Sequence, residues 1–139
     1  MNSAGIENGE LLIVEDDRDF IEDLFTMWSS PLPVARASSG EEAVEYLRTN
    51  VPALVLLDLN LPHCLARDDA DEGLEILSYI KNQVGSDVPV IVVTRESSQE
   101  MRSAAASLGA RDFLPKPLDV SGLENAVWSV LRERRDSSS

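Results

Sequence analysis

The chain has 139 residues and a mass of 15.2 kDa, enough for one domain with a sizeable core and too little for two. Lys and Arg number 12 against 25 Asp and Glu, a formal charge of −13, so the chain repels nucleic acid and anionic membrane and is expected to make no direct contact with DNA. Within this sequence the lone Cys64 excludes an internal disulfide and a thiolate zinc site, and no apolar run approaches the roughly 18 residues of a membrane span, which points to a soluble protein of the reducing cytoplasm.

Short runs rich in Leu, Ile and Val alternate with longer stretches of helical spacing, the pattern of βα units. Residues 1–9 are polar and acidic and read as a flexible N-terminus, followed by one domain over 10–134. Leu11–Val14 is the first expected strand and runs into Glu15, Asp16 and Asp17, where a helix begins that reaches Ser29. Val34–Ala37 is a weaker second strand, and Ser39 with Glu42 forms a capping box heading a helix to Asn50. Leu54–Leu57, the third strand, ends directly at Asp58. The acidic, irregular stretch His63–Glu72 separates it from a helix over about Asp71–Val84. Val88–Val93 is the fourth strand, ending at Thr94, and Ser97 with Glu100 caps a helix over Ser97–Leu108 that Gly109 stops. Arg111–Leu114 is the fifth strand, followed by Pro115, Lys116 and Pro117. A helix over Leu118–Arg134, with a second possible start at the Ser121/Glu124 capping box, completes the domain, and 135–139 reads as a tail. The first, third and fourth runs do not alternate with polar residues, as expected of strands buried on both faces, and Trp28 and Trp128 read as helix residues facing the core.

Five such units predict an α/β, doubly wound parallel sheet with helices on both faces. Ligands of that architecture gather outside the carboxyl ends of the strands, where the strand order reverses. Glu15, Asp16, Asp17, Asp58, Thr94 and Lys116 all fall at such ends. Clustered carboxylates repel one another unless a cation lies among them, and hard oxygen donors suit Mg²⁺. An aspartate beside that cation, with an ammonium and a hydroxyl at hand, is equipped to accept a phosphoryl group as an aspartyl phosphate. Asp17 is the better candidate for a helix cap than for a metal ligand.

The segments LLIVEDD at 11–17, ASSGEEAVEYL at 37–47, LVLLDLNLP at 54–62, VIVVTRE at 90–96 and GARDFLPKP at 109–117 stand in the order found in receiver domains of two-component response regulators. From Leu11 to about Leu131 the sequence resembles that family, in particular its single-domain, chemotaxis-regulator-like members. The resemblance implies a flavodoxin-like sheet of strand order 2-1-3-4-5 with five helices. It implies that Asp58 is the phosphoacceptor, that Glu15, Asp16, Asp58 and the backbone carbonyl of Asn60 hold Mg²⁺ (or Mn²⁺), and that Thr94 and Lys116 contact the phosphoryl group. Phe113, three residues before that lysine, matches the switch aromatic, and the Lys116–Pro117 bond is expected to be cis. Thr94 and Phe113 would together bias a surface of helix 4, strand 5 and helix 5. Implied partners are a sensor histidine kinase or phosphotransfer protein, a downstream protein target, and a second copy of the chain through that same surface. Such a domain catalyses only its own phosphorylation and dephosphorylation and is not a metabolic enzyme.

Two features depart from the family pattern. Arg95 follows Thr94 where a small residue is usual, and HCLARDDADE lengthens the segment between Pro62 and Gly73. These concern partner choice and phosphoryl lifetime. His63 and Cys64 receive no role. A phosphatase of the haloacid dehalogenase type also forms an aspartyl phosphate, but requires an acid two residues after the nucleophile, where this chain has Asn60. A nucleotide-binding α/β protein would carry a glycine-rich phosphate loop, and none is present. The remaining alternative is a pseudo-receiver, an interaction module that works without phosphorylation. The stretch after Leu131 is too short for an output domain, so the chain is expected to act alone or as part of a longer protein.

Overall fold

Leu11–Val14 (β1), Val34–Ala37 (β2), Leu54–Leu57 (β3), Val90–Thr94 (β4) and Asp112–Pro115 (β5) pair in parallel in the order β2-β1-β3-β4-β5. This arrangement comes from a computed structural model, which describes every residue except 1–5, 8, 29–31, 60–68, 86, 96–97, 117–118 and 139. The five strands, their order and the doubly wound class are those expected. Helices Arg18–Met27 (α1), Gly40–Leu47 (α2), Asp69–Tyr79 (α3), Gln99–Ser107 (α4) and Val120–Ser138 (α5) connect or follow them.

Side chains alternate along a strand, so an apolar run with no polar interruptions must feed two cores. On one face Leu12, Val14, Val55, Leu57, Val90 and Val92 meet Ala43 and Leu47 of α2, Ile76 and Leu77 of α3 and Ala105 of α4. On the other, Leu11, Ile13, Leu54, Leu56, Ile91 and Val93 meet Ile21 and Leu24 of α1 and Leu123, Val127 and Val130 of α5. Burying a Leu, Ile or Val side chain contributes about 1.5–3 kcal/mol, so these two layers dominate the stability of the fold. Trp28 ends α1 and packs on the second layer, whereas Trp128 is half-buried on α5.

The differences from expectation lie at element ends and near the termini: Ile6–Glu7 is a strand within the stretch read as a flexible N-terminus, α3 starts at Asp69 inside the stretch read as irregular, and α5 continues to Ser138 through the residues read as a tail. Strand β4 starts at Val90, two residues later than the apolar run, because Pro89 has no N–H for the ladder. Its carbonyl still accepts from the Val55 N–H at 3.0 Å. Helix α2 stops at Leu47 rather than Asn50, and Asn50–Val51 instead pairs in parallel with Ile6–Glu7 as a separate two-stranded sheet. Val51 precedes Pro52, a position that favours extended backbone. The Ser39 cap forms as expected, its hydroxyl accepting from the Glu42 N–H at 3.1 Å, but Glu42 reaches back to the Ser38 N–H at 2.7 Å. Ser98 caps α4 by accepting from the Met101 N–H, while the expected cap Ser97 lies outside the described residues, and Asp119, two residues before Ser121, accepts from the Gly122 N–H to cap α5. Starting α5 there brings Val120 and Leu123 onto its buried face. After Tyr79 the third helix widens into a π-helical turn over Ile80–Val84, where the Gly85 N–H reaches the Ile80 carbonyl at 2.9 Å. Among the described residues, no helix is long and apolar enough to cross a membrane.

Gly73 is where α3 crosses the chain leaving β3. A Cβ there would lie 2.4 Å from Leu59 Cα and 2.9 Å from its carbonyl oxygen, and Leu59 is fully buried. Backbone cannot yield as a side-chain tip does. Gly73→Ala is therefore expected to destabilise the domain by about 2–3 kcal/mol, measured as a lower urea midpoint with an unchanged m-value. The helix propensity of alanine would by itself predict the opposite sign.

Candidate functional site

The register of the sheet builds the site. Val14 pairs with Leu57, so the next residues along, Glu15 and Asp58, leave the sheet side by side at the point where strand order reverses. Backbone bonds hold both in place: the Glu15 N–H donates to Ala37 at 2.9 Å, and the Asp58 N–H to Val14 at 3.0 Å. From the far side, the Lys116 N–H donates to the Thr94 carbonyl at 2.9 Å, which fixes the residue after β5 against the end of β4. Lys116 then reaches back across the sheet end. Its ammonium donates to Glu15 Oε1 at 2.7 Å and Asp58 Oδ2 at 3.3 Å.

The three side chains are sequestered from water, with 3% of Glu15, 7% of Asp58 and 5% of Lys116 exposed. Asp16 joins the group from the exposed rim, and carboxylate oxygens of Glu15, Asp16 and Asp58 lie within 4.8 Å of one another. Thr94 is fully buried. Phe113 is half-buried against the first core layer, with the Arg102 guanidinium 4.9 Å from the centre of its ring. Asp17 caps α1, accepting from the Phe20 N–H at 3.2 Å, which matches its expected role. Arg95, the residue after Thr94, pairs with Asp17, its guanidinium 3.3 Å from Asp17 Oδ2. Its side chain is 75% exposed, so the contact adds under about 1 kcal/mol to stability. Asn60 and Pro117 fall outside the described residues, and with them the expected carbonyl ligand and the expected cis bond. His63 and Cys64 lie outside them as well.

Three carboxylates against one ammonium leave the group short of positive charge. The chain makes up part of the difference with a proton. Burial pushes the Glu15 carboxyl up to about 7 from 4.5, helped by its hydrogen bond to Asp58, while Lys116 pulls the other way. Folding thus binds a proton on Glu15 that the unfolded chain releases between those pH values. The contribution favours folding below about pH 4.5 and is lost as pH rises through about 7. In chelator-treated protein, stability is expected to fall from pH 5.5 to pH 8 by up to about 1.4 kcal/mol per pH unit. Glu15→Gln should flatten that slope in urea titrations at successive pH values.

Sequence inspection missed one neighbour of this group. The Lys116 ammonium sits 4.5 Å from the centre of the Phe20 ring, on the first turn of α1. In the sequence Phe20 is simply an apolar residue of an amphipathic helix, and no spacing connects it to Lys116.

Comparison with known proteins agrees with this geometry. The family model of the response regulator receiver domain matches residues 11–128. The chain belongs to that family. It is a receiver domain of two-component signalling. A transcriptional regulatory protein PrrA of Mycobacterium bovis is 31% identical over 132 residues, covering 94% of this chain and 53% of the relative. A response regulator MprA of a Mycobacterium species is 32% identical over 123 residues, 88% of this chain and 50% of the relative. The receiver domain thus spans about half the length of these curated relatives. A CheY-like receiver domain protein from Methanospirillum hungatei shares the fold with a TM-score of 0.82 at 22% identity, over 92% of this chain and 97% of that one. The receiver domain of a Luxo repressor protein from Vibrio parahaemolyticus superimposes with a TM-score of 0.79 at 25% identity, covering 94% and 95%.

Proposed function

We propose that Asp58 accepts a phosphoryl group from a phosphohistidine of a sensor histidine kinase or phosphotransfer protein, in a reaction that requires a divalent cation. The observation that carries the proposal is the buried Glu15–Lys116–Asp58 group, with Asp16 at its rim and more negative than positive charge. Its donor set is all hard oxygen and fits Mg²⁺ or Mn²⁺. Glu15, Asp16 and Asp58 would hold the ion, with the Asn60 carbonyl as a further donor. When bound, the cation offsets negative charge on the phosphoryl oxygens.

An Asp58 carboxylate oxygen attacks phosphorus in line with the departing imidazole nitrogen. The O–P bond forms as the N–P bond breaks, and the imidazole takes up a proton. Lys116, already directed at Asp58, is placed to neutralise a phosphoryl oxygen, and the Thr94 hydroxyl at the end of β4 is placed to donate to another. Drawing Thr94 inward would free space for Phe113, whose ring bridges β5 and Arg102 of α4, and so alter the α4-β5-α5 face. A downstream protein, or a second copy of the chain, would read that face. The net charge of −13 directs this domain toward protein partners rather than nucleic acid, and the reaction belongs in the cytoplasm.

Incubation with acetyl phosphate and Mg²⁺, followed by intact-mass spectrometry, tests the reading. One phosphoryl adduct per chain, lost with chelator, is the expected result. No adduct with acetyl phosphate, and no change in spectrum with the beryllofluoride mimic, would leave the chain as an interaction module independent of phosphorylation.

A further inference from the structure

The buried ammonium of Lys116 has carboxylates on two sides and an aromatic face on a third. Glu15 lies at 2.7 Å, Asp58 at 3.3 Å and the Phe20 ring centre at 4.5 Å. The ring is held by the same group it serves. Glu15 Oε2 accepts from the Asp17 N–H at 3.1 Å, and Asp17 Oδ1 accepts from the Phe20 N–H at 3.2 Å. Phe20 also packs on the second core layer. A closed circuit therefore runs from Glu15 through the cap of α1 to Phe20, across to Lys116 and back to Glu15.

We propose that Phe20 is a positioning residue for phosphoryl acceptance, its ring face holding the Lys116 ammonium at Asp58 while leaving it free to turn. The inference rests on the reading of Asp58 as the phosphoacceptor. A ring face attracts a cation through its quadrupole without fixing a donor direction, unlike a carboxylate. Lys116 must exchange Asp58 for a phosphoryl oxygen during the reaction. A partner that attracts the ammonium but does not fix its direction keeps it in the site through that exchange. An aliphatic side chain would fill the space and leave a buried cation facing hydrocarbon, an unfavourable environment.

The test separates ring electrostatics from packing. Phe20 is replaced by 3,4,5-trifluorophenylalanine, which keeps the ring nearly unchanged in shape and drains its negative face, and by Phe20→Tyr and Phe20→Leu. The first readout is the acetyl phosphate phosphorylation rate at saturating Mg²⁺. It is expected to fall by about three- to tenfold in the trifluoro and Leu variants and to stay near the parent value in Phe20→Tyr. The second readout needs no phosphorylation. The chain has two lysines, Lys81 and Lys116, so ¹⁵N-lysine labelling yields two ammonium signals, assigned with Lys81→Arg. The Lys116 signal is expected to be slow to exchange with water in the parent and to broaden in the trifluoro variant. A trifluoro variant with parental rate and parental Lys116 signal overturns the proposal. If the parent itself takes no phosphoryl group, the phosphoacceptor reading fails and the role in phosphoryl acceptance falls with it, while an altered Lys116 signal would still show the ring contact.

Discussion

Asp58→Asn is expected to abolish phosphoryl uptake, lowering the rate from acetyl phosphate and Mg²⁺ by more than about 10³-fold, while the fold is retained. The amide keeps the size and most of the hydrogen-bonding capacity of the carboxylate but is not a nucleophile at phosphorus. It also removes a negative charge that raises the Glu15 carboxyl through both a hydrogen bond and repulsion. The variant should consequently be at least as stable as the parent at pH 7. Intact-mass spectrometry and urea denaturation of the same preparations read both halves. A variant that still gains one phosphoryl group would place the acceptor elsewhere, and one that fails to fold would show that Asp58 is mainly structural.

Lys116→Met should have the next largest effect, and on two quantities. The methionine occupies a similar volume and leaves Glu15 and Asp58 buried with no cation between them. Breaking a buried pair by removing one partner costs about 3–5 kcal/mol, because the remaining charge stays desolvated. That loss is expected to be larger near pH 8 than near pH 6 in chelated protein, because Lys116 holds the Glu15 carboxyl down and the variant keeps a proton on Glu15 to higher pH than the parent does. Added Mg²⁺ should restore part of it by replacing the missing positive charge. The phosphorylation rate should fall at least about 10²-fold even at saturating Mg²⁺, since the ammonium serves charge that develops during transfer. Equal stability of parent and variant across this pH range would mean that the 2.7 Å contact with Glu15 contributes nothing.

The parts of the site that strand ends present were legible in the sequence. An unbroken apolar run such as Leu54–Leu57 must be buried on both faces, so an acid immediately after it stands at a sheet end and needs a partner. The same logic placed Glu15 and Thr94 at sheet ends, whereas Lys116 follows the half-exposed strand β5, and the roles of Thr94 and Lys116 rested on the resemblance to receiver domains. Helix ends were less legible, because adjacent residues offer equivalent caps. Ser97 and Ser98 both suit the start of α4, and Asp119 and Ser121 both suit that of α5; the folded chain uses Ser98 and Asp119. The pairing of Ile6–Glu7 with Asn50–Val51 had no local signal, since two residues are too few to show a period.

By itself, then, the sequence determined the βα alternation, the doubly wound class and the residue types at the carboxyl ends, because hydrophobic periodicity and turn chemistry are local. Only the tertiary structure decided which of those residues touch. The register of β1 on β3 sets Glu15 beside Asp58, and the path of Lys116 across the sheet end brings it between them. The Phe20 ring reaches that ammonium because the α1 cap and the end of β5 converge from distant parts of the chain. Contacts of that kind depend on the direction of side chains across separate elements, and spacing along one chain does not encode it.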